Sequence, residues 1–506
     1  MTGPAAVSPE RLAIAVLVAG ILAFKLWLAA FFPLTGDEAY FLVWGLQPDL
    51  GYYDHPPMVG WLLALLARMS LSEWVLRLPV LLLPFILSGA IYLALREADR
   101  RKAAYAALAF LLLPINVWNV FITTDTPLVF FTFFSGFAWW KARRNDSQAL
   151  FVLSGVLLGL AFLSKYFAVL LALVYLVDAL AAPPGRRAVR GLIFACAAAT
   201  PFVLLNLWWN YGHCWANLMF NLYNRHDDAG FSVSSIALYL LIVAYTLSPV
   251  ALVQLVRRGW SQPMAMGFRF LLLATGLPFA MFAALSLVRS VGLHWVLSFV
   301  PFFFMAAALA LRADQLRLSV VYLGLFSLLH VALITAAATL PLETWNRSRL
   351  YDGIVFHFRI DDVSKWLRNY APEFELAADG YSPAVTLSYY SGGYVFVFGT
   401  ASSHARHDDL LTDFRRLDGR NIAVFRKNAP QDDEYQPFFQ SVETRTLELS
   451  GARFYAVLGR GFSYKAYLDR VLTPVRERFY RIPAYLPQGG CIFCERYFAS
   501  YCPVRS

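Results

Sequence analysis

From Leu12 to Leu340 the chain alternates long apolar runs with short polar breaks. The runs approach the about 20 residues that a helix needs to cross about 30 Å of hydrocarbon. Their pattern predicts about eleven transmembrane helices, over 12–32, 74–95, 103–121, 126–140, 149–163, 166–182, 189–208, 234–255, 267–287, 295–311 and 317–340. The first run exceeds the core of a signal peptide and leads into Pro33 and Gly36 without a clear small-residue cleavage site, so it is read as a span. Beyond Pro341 the runs shorten and charge becomes mixed. There Ala384–Tyr389, Tyr394–Phe398, Asn421–Phe425 and Arg453–Leu458 read as strands. Asp362–Asn369, His407–Leu417 and Tyr464–Leu472 read as helices, the last stopping before Pro474. The expectation is a polytopic α-helical membrane protein with two domains: a membrane domain at 1–340 and a soluble α+β domain at 341–506.

Composition sharpens this. The chain is 59% apolar and only 15% charged over 506 residues, where soluble domains carry about 25% charge. Mean hydropathy is +0.53. Disorder is excluded on these grounds, and the composition argues against an ordinary cytosolic enzyme. The net charge of +10 invites a nucleic-acid partner, but none is expected, because the basic residues of the membrane region fall in short clusters between apolar runs.

Those clusters set an orientation. Arg96-Arg100-Arg101-Lys102, Lys141-Arg143-Arg144, Arg186-Arg187-Arg190, Arg257-Arg258 and Arg312-Arg317 occupy alternate loops. The positive-inside rule places them in the cytoplasm, and places loop 33–57 and, with an odd number of spans, everything after Leu340 outside. A multi-pass protein of a cell (inner) membrane follows, with its C-terminal domain on the outer face and membrane lipids as its surroundings.

The first outer loop concentrates chemistry. Thr35-Gly36-Asp37-Glu38-Ala39-Tyr40 is followed by Gly51-Tyr52-Tyr53-Asp54-His55-Pro56-Pro57, with no Lys or Arg between them. Tyr40, Trp44, Tyr52, Tyr53 and Trp61 line it. Acids at a lipid–water boundary are costly unless solvated, paired or used. Helix capping is the plain alternative for Asp37, for Asp54 and for Asp125 in Thr123-Thr124-Asp125-Thr126-Pro127. An interfacial loop with an aromatic belt is the plain alternative for the segment as a whole.

Asp37-Glu38 after the first span, Tyr53-Asp54-His55-Pro56-Pro57, and Thr124-Asp125-Thr126-Pro127 together resemble the polyprenyl-phosphate-sugar-dependent glycosyltransferases of the GT-C fold. That superfamily includes the lipid A aminoarabinose transferase, the rhizobial lipopolysaccharide galacturonosyltransferases and the protein O-mannosyltransferases. The resemblance covers the membrane region and extends loosely into the C-terminal domain. It implies a polyprenyl-phosphate sugar donor, a lipid or glycan acceptor, and inversion at the anomeric carbon. It also implies Asp37, Asp54 and Asp125 as catalytic acids, with Asp37 as general base, and Glu38, Tyr53 and His55 as substrate-binding residues. In the aminoarabinose transferases the residue before the double Pro is usually Lys; here it is His55, so a permanent charge at that position is absent.

A departing phosphate needs cations or backbone donors. The outer side supplies few: Lys165, Arg225, His226, Arg289 and His294, each with a plain alternative as an interfacial snorkelling residue. Trp208, Trp209 and Trp215 suit an aromatic belt or a sugar platform. Asp37, Asp54 and Asp125 are also the candidate ligands should a divalent metal take part, although the sequence requires none. Cys491, Cys494 and Cys502 are one short of the ligands of structural zinc; a disulfide among them suits an oxidising compartment, and unpaired thiols are the alternative. A multi-pass secondary transporter is the competing function, and a membrane-anchored assembly or receptor protein the next. Against a transporter stand the lack of an evident internal repeat and the placing of the acids at outer helix ends rather than mid-membrane.

Overall fold

The computed structural model describes residues 9–181, 186–224, 230–257, 266–400, 406–487 and 489–499. The chain divides into two compact units. The first comprises 1–32, 69–201 and 229–339, and the second 33–68, 202–228 and 340–506.

The first unit is helical. Among the described residues six helices are long and apolar enough to cross a membrane: Leu12–Phe31, Glu73–Leu95, Arg187–Gly212, Gly267–Ser286, Leu293–Ala310 and Ala313–Thr339. The pair Val233–Leu247 and Pro249–Arg257, bent by 89°, makes a seventh if taken as one span. The protein is thus a multi-pass membrane protein, with fewer uninterrupted spans than the hydropathy predicts. The differences have local causes. The run 103–121 splits into Arg100–Leu111 and Pro114–Trp118, because Pro114 lacks the N–H that would continue the first helix. The run 234–255 breaks at Ser248, whose φ of 56° is left-handed. Gln148–Phe162 has 15 residues, about 22 Å of helix, short of a full crossing.

This unit packs around Phe110, Phe133, Trp139, Tyr175, Phe302 and Phe304. Its buried charges are satisfied. Lys25, wholly buried, donates to the carbonyls of Asn116 and Asn119 at 3.0 and 2.5 Å. Arg77 donates to those of Ala29 and Phe32 at 2.7 and 2.6 Å. Asp178 accepts from Trp139, Arg143 and Arg269. Such partners are what make a charge tolerable at low dielectric.

The second unit holds a five-stranded mixed sheet: β1 Glu375–Ala378, β2 Phe396–Val397, β3 Ile422–Arg426, β4 Phe439–Leu449 and β5 Ala452–Phe462, in the order β2-β1-β3-β5-β4. β1 runs parallel to β2 and β3, while β5 is antiparallel to β3 and β4. In β3, Ile422 and Val424 enter one apolar cluster, and Ala423 and Phe425 enter another on the opposite face. A strand buried on both faces reads as a continuous apolar run, which is why β3 was legible. β4 is largely exposed at the sheet edge, and its mixed polar sequence gave no strand signal.

Three predicted elements are corrected. Ala384–Tyr389 lies in a helix, Tyr381–Ser391, with Pro383 in the first turn where the missing N–H costs nothing. The helix predicted to stop before Pro474 runs on as Thr473–Phe479 with that Pro at its start. His407–Leu417 is a short helix at Asp408–Leu411 and a separate turn at Phe414–Leu417.

Candidate active site

Asp37 sits in the first turn of the helix Gly36–Leu46. The cap is not Asp37 but Thr35. Its Oγ1 accepts from the Glu38 backbone N–H at 3.3 Å, and Glu38 Oε2 accepts from the Thr35 N–H at 3.0 Å. This reciprocal capping box occupies Glu38, which is buried. Glu38, predicted to bind substrate, thus has a structural role in the cap. Asp37 is left exposed. Its Oδ1 accepts from the Tyr381 hydroxyl at 2.9 Å.

The close approach behind this bond depends on Gly36. A Cβ there would lie 1.9 Å from Ser382 Oγ, so only glycine lets the two helix starts meet.

Asp54 is buried and accepts from the Tyr40 hydroxyl at 2.8 Å. The helix that follows, Met58–Ala67, has no side-chain cap, so Asp54 does not cap it. Tyr40 in turn accepts from the backbone N–H of His407 at 3.3 Å, and its ring meets that of Tyr381 edge-on at 5.5 Å. Burial, then the Asp54 charge, pushes the Tyr40 phenol well above its usual range; burial and Asp37 do the same to Tyr381. Both phenols therefore remain protonated donors. Burial lowers the His407 imidazole to about 4, so at neutral pH that residue reaches Tyr40 through its backbone and brings no charge. His55 Nδ1 lies 3.9 Å from Asp54 Oδ2.

The backbone around Asp54 is held from the segment 202–228. Asn217 donates to the Tyr52 carbonyl at 2.9 Å and Asn221 to the Asp54 carbonyl at 3.0 Å. A disulfide between Cys214 and Cys491 ties this segment to the C-terminal part of the same unit. Cys494 is disulfide-bonded too, and Cys502 lies outside the described residues. Cys214, 277 residues earlier in the chain, is thus the partner of the first tail cysteine. Tyr53 is fully buried against Phe220 and Tyr480 and packs rather than facing outward. Trp209 is buried, donating to Asp49 at 3.0 Å, and Trp215 donates to the Pro487 carbonyl; of the three tryptophans Trp208 alone is well exposed.

In the other unit Asp125 opens the helix Asp125–Asn145, where Thr124 holds the cap position without a side-chain bond. Asp125 therefore does not act as the predicted cap. Lys165 Nζ donates to both of its carboxylate oxygens at 2.9 Å, and both residues are buried. His294 Nε2 lies 3.9 Å from Asp125 Oδ2 and is half exposed. Lys165, predicted as a phosphate ligand, is thus already committed to a carboxylate. Arg289 is partly buried. Arg225 and His226 lie outside the described residues.

Among the described residues, no group of three His, Cys, Asp or Glu side chains gathers to ligate an ion.

Residues 54–209 match the family described as dolichyl-phosphate-mannose-protein mannosyltransferase. Over 203 residues the chain is 32% identical to the lipid A galacturonosyltransferase RgtD of Rhizobium johnstonii, an alignment covering 38% of this chain and 43% of that protein. The chain therefore spans less than half the length of that curated relative. Its structure superposes on ArnT from Cupriavidus metallidurans with a TM-score of 0.60 at 16% identity, covering 89% of this chain and 98% of ArnT. The chain has the GT-C fold. The same protein bound to undecaprenyl phosphate superposes with a TM-score of 0.59, over 88% of this chain and 97% of that one, also at 16% identity. The resemblance carried by Asp37-Glu38, Tyr53–Pro57 and Thr124–Pro127 is thus found again in sequence and in fold. The sequence singled out Asp37, Asp54 and Asp125 as candidates; Tyr381 and His407, which no local signal marks, enter through their bonds to Asp37 and Tyr40.

Proposed function

We propose that the protein is a membrane glycosyltransferase. It moves a sugar from a polyprenyl-phosphate donor to a hydroxyl or phosphate of lipid A, another surface glycan or a protein, with inversion. The observation that carries this reading is Asp37: an exposed carboxylate with one oxygen held by a phenol, while Oδ2 has no protein hydrogen bond among the described residues. An acceptor hydroxyl attacks only as its proton leaves, and a carboxylate so presented can take it. Asp54, buried under Tyr40, and Asp125, paired with Lys165, are less available for that step. We assign Asp54 to shaping the site around Asp37 and, from the resemblance alone, Asp125 to orienting the donor. We assign the donor phosphate to Arg289 and His294. The lipid A acceptor of RgtD and the undecaprenyl phosphate bound to ArnT support the substrate classes.

The purified protein in detergent with lipid A acceptor is expected to transfer sugar from a polyprenyl-phosphate galacturonic acid or mannose donor and not from the corresponding nucleotide sugar. Transfer from neither lipid donor, with sugar uptake in liposomes instead, would return the transporter reading.

We further propose that the unit containing Asp37 and the C-terminal segment lies outside the cytoplasm. The Cys214–Cys491 disulfide supports this, because disulfides persist in oxidising compartments. Reporter fusions after Asp49 and after Gly419 should both read outside; a cytoplasmic signal from either contradicts the orientation.

A further inference from the structure

Asp37 and Tyr381 are 344 residues apart in sequence and share a hydrogen bond of 2.9 Å. Three features favour a built contact over a chance meeting. Gly36 removes the one side chain that would hold the helix starts apart. Tyr40, itself bonded to Asp54, packs edge-on against the Tyr381 ring. Tyr390 of the same helix accepts from the Leu34 backbone N–H at 3.0 Å, just before the loop. The helix Tyr381–Ser391 thus holds the Asp37 turn at two points.

A carboxylate acting as base must offer one oxygen in a fixed direction, and a donor on the other oxygen both fixes it and stabilises its charged form. The charged groups facing the phenol are Asp37 and Asp54, with Asp37 the stronger influence. Glu38 faces its cap instead.

We propose that Tyr381 is a positioning residue. It holds Oδ1 of Asp37 so that Oδ2 meets the acceptor hydroxyl, making the C-terminal segment a working part of the active site. This rests on the glycosyltransferase reading above. The test is Tyr381→Phe in the full-length protein, beside Asp37→Asn, with Tyr390→Phe removing a hydroxyl from the same helix as a control.

Tyr381→Phe is expected to leave donor KM within about twofold and to lower kcat about tenfold. Tyr390→Phe, which leaves the Asp37 bond in place, should lower kcat less than Tyr381→Phe. A Tyr381→Phe protein with wild-type kcat, while Asp37→Asn is inactive, overturns the proposal and leaves the transferase reading standing. A lower kcat accompanied by an equal rise in donor KM or by a reduced thermal midpoint makes the bond merely structural and also overturns it. A wild-type protein that transfers no sugar overturns both.

Discussion

Asp37→Asn is expected to keep lipid-donor binding and to lose sugar transfer by at least about a hundredfold, the lower end of what a general base contributes. The substitution is well suited to this question. Asn has the shape of Asp, and the cap of this helix is Thr35 with Glu38, so the capping box survives. The change in helix-dipole interaction at an exposed first turn is only about 0.3–1 kcal/mol, and the Tyr381 hydroxyl still has a carbonyl oxygen to reach. What disappears is the basic oxygen. Rates measured with saturating donor, together with donor binding, separate the two contributions. Near-wild-type transfer by Asp37→Asn with an inactive Asp54→Asn or Asp125→Asn would show that the base is one of the other acids. Normal transfer by all three would remove the enzyme assignment.

The second large effect is expected at Lys165. Its ammonium sits on both oxygens of Asp125, with side-chain exposures of 11% and 9%. A buried pair adds little net stability, but removing one partner strands the other charge at a cost of about 3–5 kcal/mol. Lys165→Met should therefore lower the unfolding free energy in detergent by about 3 kcal/mol. The double variant Asp125→Asn/Lys165→Met should recover most of it, because neither charge then remains. The sign of the coupling is the decisive quantity. If the double variant is less stable than Lys165→Met alone, the carboxylate is not stranded and the pair is not a closed ion pair. Weakened donor binding in a Lys165→Met protein of wild-type stability would instead return Lys165 to the phosphate.

These expectations differ from those the sequence suggested, and the reasons are specific. Asp37, Asp54 and Asp125 were each open to a helix-cap reading, since Asp caps well and each lies near a helix start. The capping residue proved to be Thr35 in the first case, and in the others the carboxylate turned to a side chain instead, Tyr40 for Asp54 and Lys165 for Asp125. Glu38 matched a functional motif and serves the cap. Lys165 was counted as a free cation because its partner stands 40 residues earlier in the chain. Of the tail cysteines, Cys491 pairs with Cys214 across 277 residues, and Cys494 is disulfide-bonded as well.

What the sequence determined by itself was whatever depends on short spacing. Apolar runs near the thickness of a bilayer mark membrane helices because the cost of burying backbone and charge in hydrocarbon is paid segment by segment. The continuous apolar run of β3 is equally local, and the motifs at Asp37, Tyr53–Pro57 and Asp125 were readable because they are contiguous. Only the tertiary structure decided which of those acids keeps an oxygen exposed. Tyr381 and His407 come from 344 and 367 residues away in sequence to bond Asp37 and Tyr40. A tyrosine in a helix has the same local pattern whether it meets lipid, core or a carboxylate, and its partner is fixed only when packing brings the two segments within the about 3 Å reach of a hydrogen bond.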